Sequence, residues 1–157
     1  MRGGLASLLI SAVLLASGSS GLSLAQPAPG AQAQSCDRTA FAAVVEQAGA
    51  QLRELTARNK PSFQDKLRLL RDKRQWTPEQ FMTEAAVYVH DDKIAELDQR
   101  SSSLLARLTS VGSAGAASGS PDCKLLDELR VTMKSLVDTQ IEKWGHMFAK
   151  LDRALLE

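Results

Sequence analysis

From Cys36 onward, apolar side chains recur every three or four positions, which is the spacing of one face of an α-helix. In the first such stretch, from about Cys36 to Arg58, the stripe is Phe41, Val44, Val45, Ala48, Leu52 and Leu55. Asn59-Lys60-Pro61 is expected to end it, because the residue before a proline is pushed out of helical geometry. A short helix is expected next, with Ser62 as its cap and Asp65 reaching back from the third helical position. Phe63, Leu67 and Leu70 would form its buried edge.

The third stretch opens most clearly. Thr77 suits the N-cap, Pro78 the first helical position and Gln80 the reciprocal partner of a capping box. Trp76 and Phe81 stand at the spacing of a hydrophobic staple around that cap. From there to about Leu108 neither proline nor glycine intervenes, and Val87, His90, Ile94, Leu97, Ser101, Leu104 and Leu108 keep the 3-4 spacing. The pattern predicts one helix of about thirty residues, near 45 Å long. Residues 110–120 (SVGSAGAASGS) read as a flexible linker. A fourth helix is expected from Pro121, capped by Ser120, with Asp122 well placed against the helix dipole. Its stripe is the longest: Leu126, Leu129, Met133, Val137, Ile141, Trp144, Phe148, Leu151 and Leu155.

These elements define an all-α fold, an antiparallel helical bundle of three long helices and one short helix. Two cysteines test that arrangement. With the first helix running down, the third up and the fourth down, Cys36 and Cys123 both begin a helix at the same end. In an exported chain such a pair reads as a disulfide, and export is what the N-terminal residues indicate. Arg2 is the only charge before Asp37, Leu5 to Ala16 is apolar or small throughout, and Ser23-Leu24-Ala25 offers small residues to signal peptidase. The run is far shorter than the roughly 20 apolar residues of a membrane span. Residues 1–25 are therefore read as a signal peptide cut after Ala25, with Ala31-Gln32-Ala33 as the second choice. Residues 26–35 are read as a disordered leader and 36–157 as the helical domain. The expected location is the periplasm or the cell exterior.

The chain holds 19 Lys plus Arg against 18 Asp plus Glu, so loss of Arg2 with the signal leaves it formally neutral. That argues against a general nucleic-acid binder, which needs a basic footprint. Charge is nonetheless polarised: residues 60–76 are mostly basic and residues 79–98 mostly acidic. The basic stretch, Lys66, Arg68, Arg71, Lys73 and Arg74, is the candidate surface for a partner protein or envelope component. The simpler account of the same residues is pairing within the chain.

No catalytic or cofactor motif is present. The mature chain lacks a G-x-S-x-G elbow, an H-E-x-x-H helix, a P-loop, a dinucleotide fingerprint and a C-x-x-C-H haem site. His90 and His146 would lie near one another in the expected hairpin, with Glu142, Asp91 and Asp92 close by. His146, however, falls midway between Trp144 and Phe148, turned away from its own stripe, and no metal site is assigned. Met82, Met133 and Met147 are read as core or surface residues rather than haem ligands. No cofactor is expected.

Thr77-Pro78-Glu79-Gln80 resembles the L-T-x-x-Q signature of the Spy/CpxP group of periplasmic helical chaperones, with Trp76 in place of the leucine and no second copy in the fourth helix. The resemblance implies a holdase that shelters unfolded clients. The reading carried forward is an exported, non-enzymatic helical protein that works by macromolecular binding in the envelope. The holdase and a metal or cofactor carrier are its alternatives, and a homo-oligomer is left open.

Overall fold

The computed structural model describes residues 36–117 and 122–157. The residues read as a signal peptide and leader, and Ser120 and Pro121 at the expected start of the last helix, lie outside them. The described residues are helical, without a strand among them: α1 (Arg38–Arg74), α2 (Pro78–Glu84), a 3₁₀ turn (Ala85–Tyr88), α3 (Asp92–Ala117) and α4 (Cys123–Leu156). Three long helices and one short one make up the fold, as the apolar pattern predicts, but three of the boundaries differ.

The first correction concerns Pro61, which does not end a helix. It sits exposed inside α1, and the expected short helix at 62–74 is the last part of that 37-residue helix. Ser62, expected as a cap, instead donates to the Arg58 carbonyl at 3.2 Å, as a serine inside a helix does. An internal proline costs about 3 kcal/mol. Burying Phe63 and Leu70 recovers about 1.5–3 kcal/mol each, and both sit in phase with Ala48 and Leu55, so continuation wins. The helix ends where Gln75 turns into the left-handed region (φ 53°) and the Trp76 N–H bonds the Arg71 carbonyl at 3.0 Å.

The second correction divides the expected thirty-residue helix. The capping box at Thr77 forms as read, with Gln80 N to Thr77 Oγ1 at 3.2 Å and Thr77 N to Gln80 Oε1 at 2.9 Å. The α-helix then runs only seven residues. After it come Val87, Tyr88 and Val89, poor helix formers, and Asp91 recaps the chain by accepting from Ile94 N at 2.7 Å. His90 falls in this break and is exposed, not on an apolar stripe.

The third correction is at the linker, where residues 110–117 are the end of α3. Val111 is buried there in line with Leu104 and Leu108. The Phe41 ring packs beside Gly115, at a distance that would be ordinary contact for a Cβ there (3.6 Å). On the far side of the gap Asp122 caps α4, accepting from Lys124 N at 2.9 Å and Leu125 N at 3.1 Å. It takes the role expected of Ser120.

In space α4 is the spine, with α1 and α3 each packed along it and sharing little contact with one another. The α1 and α4 axes run in the same direction and α3 runs against both. Cys36 and Cys123 are joined at the starting end, with Cα atoms 5.0 Å apart. Two separate cores hold the three helices. At the disulfide end Cys36, Val111, Leu126 and Leu129 are buried, with Phe41, Val44 and Met133 against them. At the other end Phe63, Leu70, Ile94, Met147, Leu151 and Ala154 are buried. There Phe63 meets Trp144 and Phe148 edge-on at 5.9 and 5.6 Å between ring centroids.

Candidate binding groove

Between the two cores α1 and α4 leave a groove of about 630 Å³ on the surface. Its floor is apolar, formed by Val44, Ala48, Leu55, Met133, Val137 and Ile141. One lip, on α1, is Gln47, Gln51, Glu54 and Arg58; the other, on α4, is Arg130, Lys134 and Asp138. Helical rise makes the groove about 17–21 Å long. The local sequence explains the opening. Ala48 is small where the flanking cores place Phe41 and Phe63, so α1 offers no large side chain there against Val137. The lip charges are tied only to neighbours on their own helices: Arg58 to Glu54 (3.7 Å), Arg130 to Asp127 (2.9 Å) and Lys134 to Asp138 (2.5 Å). Such exposed pairs contribute about 0–1 kcal/mol and are readily exchanged for others.

The expected basic surface lies elsewhere, at the far end of α1, and each of its residues has a partner within the chain. Lys66 pairs with Asp152, and Arg68 with Asp65. Arg71 pairs with Asp72 at 2.7 Å while its guanidinium covers the Phe81 ring, 5.9 Å from the centroid. Lys73 donates to the Leu155 carbonyl at 2.7 Å and Arg74 to the Ala154 carbonyl at 3.4 Å. The last two satisfy carbonyls of the final turn of α4 that have no partner within their own helix.

Of the residues weighed as a metal site, the structure brings together His146 and Asp91. Asp91, entering α3, accepts from His146 Nε2 (2.8 Å) and from Lys150 on α4, and Lys150 also reaches the Val87 carbonyl. The Lys150 hydrogen bond, then that of His146, then the Ile94 N–H hold the Asp91 carboxyl well below the usual carboxylate range. On the exposed faces Lys93 draws Glu142 below its ordinary value, and Glu142 with Glu96 raises Lys93. Among the described residues no group of three or more His, Cys, Asp or Glu could hold a metal ion. Met147 is buried in the core, Met82 is exposed and Met133 faces the groove.

Sequence reasoning missed the groove because its floor residues belong to the same stripes as the cores. The available signal was the run of small residues around Ala48. No helix among the described residues is long and apolar enough to cross a membrane. Comparison with family models, with curated proteins and with solved structures gives no match.

Proposed function

We propose that this chain is an exported, non-enzymatic binding protein of the cell envelope that holds an elongated segment of another macromolecule along the α1/α4 groove. The observation that carries the reading is a surface groove between two polar lips whose apolar floor, buried at Ala48, Leu55 and Val137, opens at the half-buried Val44 and Met133 and the exposed Ile141. The floor supplies affinity by burial, and the lip charges supply approach and register. Gln47 and Gln51, with no charge to desolvate, leave the α1 lip easy to cover. The basic cluster at the end of α1 is the less favoured surface, because Lys73 and Arg74 are engaged with the last carbonyls of α4; the exposed pairs of Lys66, Arg68 and Arg71 are as exchangeable as those of the lips.

The test is photo-crosslinking in the envelope of the producing cell, with a photoreactive residue at Gln51 and, as control, at Ser103 on the exposed face of α3. A discrete adduct from position 51 and none from position 103 is the expected result. Equal labelling from both positions, or none from position 51, refutes a groove ligand.

A further inference from the structure

The exposed edge of α4, running from the α4 lip of the groove onto the open face of the helix, carries a stripe of four residues at heptad spacing: Val131, and Lys134, Asp138 and Ile141, which also line the groove. Val131 and Ile141 are 67% and 51% exposed, and they are the only large apolar side chains left open on α4 apart from Leu156 near its end. Apolar residues at such positions are those a helix presents to a partner helix.

Their order has a symmetry. Val131 and Ile141 are equidistant from Leu136, and so are Lys134 and Asp138. A two-fold axis crossing α4 at the level of Leu136 therefore sets Val131 of one copy against Ile141 of the other, twice. The same axis sets Lys134 against Asp138, also twice. Parallel pairing would put lysine on lysine and aspartate on aspartate, so charge selects the antiparallel arrangement. One turn further out, Asp127 falls opposite Gly145, where a Cβ would meet nothing within 4 Å and a second helix has room to approach.

We infer that this exposed edge of α4 is a self-association surface, on which a second copy of this chain docks with its own α4 antiparallel and centred at Leu136. Such an isologous contact closes on itself as a dimer. This goes beyond the groove reading and does not depend on it. The two meet at Lys134, Asp138 and Ile141, which the second copy would cover, leaving each groove open along its α1 lip.

Sedimentation of the purified, oxidised chain over a concentration series reaching about 1 mM, the weak end of specific association, tests the proposal. A monomer–dimer equilibrium is expected. Lys134→Glu and Asp138→Lys each place like charges across the axis and should weaken the dimer at least tenfold. The double variant Lys134→Glu/Asp138→Lys should restore it. All four residues are exposed, and unchanged helicity by circular dichroism shows that folding is intact. A chain that stays monomeric throughout overturns the inference. So does a dimer indifferent to the single changes, or one that the double variant fails to restore. Crosslinking from Gln51 is read separately: an adduct to a second copy of this chain counts for the dimer, and only an adduct to another molecule counts for the groove ligand.

Discussion

Asp91 is the residue on which the most local structure converges. Its backbone and side chain begin α3, and the same carboxylate binds His146 and Lys150 of α4, so helix start and helix packing share one group. Replacing it with alanine should cost about 0.5–2 kcal/mol, the usual range for a lost N-cap, and thermal unfolding would register the change. The sign of its pH dependence follows from the direction of its shift. A carboxyl held below its ordinary value of 3.8 stabilises the folded chain fully above that value and loses its contribution as pH falls below it. Stability between pH 5 and 8 should therefore be insensitive to Asp91 titration, and the Asp91→Ala penalty should shrink only in strong acid. A penalty that halves between pH 7 and pH 5 would contradict this. The sequence showed Asp91 as one of two adjacent acids, and nothing in it distinguished a cap from a continued helix except the weak helix formers just before it.

The helix pattern was most legible where periodicity alone decides. The capping box of α2 was readable, and so was the stripe of α4 except at Ile141, which is exposed while Leu136 and Met147, outside the expected stripe, are buried. The pattern misled where a local signal met a distant contact. Pro61 is a local stop, yet the spacing from Leu55 to Phe63 keeps the same face, and the core around Leu70 rewards continuation. Val111 likewise draws a weakly helical Gly/Ser/Ala segment into α3, because Leu126 and Cys36 bury beside it. The ends of α1 and α4 show the same dependence between elements. Lys73 and Arg74 satisfy the final carbonyls of α4, so joint replacement of Arg71, Lys73 and Arg74 by Glu should fray that helix. Faster amide hydrogen exchange over residues 153–157, with unchanged protection in the middle of α4, is the expected outcome. Unchanged exchange at the end of α4 would mean that these cations are free for other work, which returns them to candidacy as a partner surface.

On the scale of the molecule, α1 and α3 are each packed along α4, with a surface groove between α1 and α4. The covalent tie at Cys36–Cys123 and the aromatic cluster at Phe63 bracket the groove, so its walls are anchored while part of its floor, Ile141 above all, stays accessible. The disulfide was readable from topology and cysteine count together. The groove was not, because a stripe shows which face is apolar and not which stretch of it lacks a counterpart. Three internal methionines report on the three regions that matter: Met133 in the groove, Met147 in the distant core and Met82 on the exposed face of α2. Methyl NMR of the methionine-labelled chain, titrated with envelope extract from the producing cell, tests the groove most directly. The account predicts that the Met133 resonance moves while Met82 and Met147 hold still. Binding that shifts Met82 and leaves Met133 in place would contradict it.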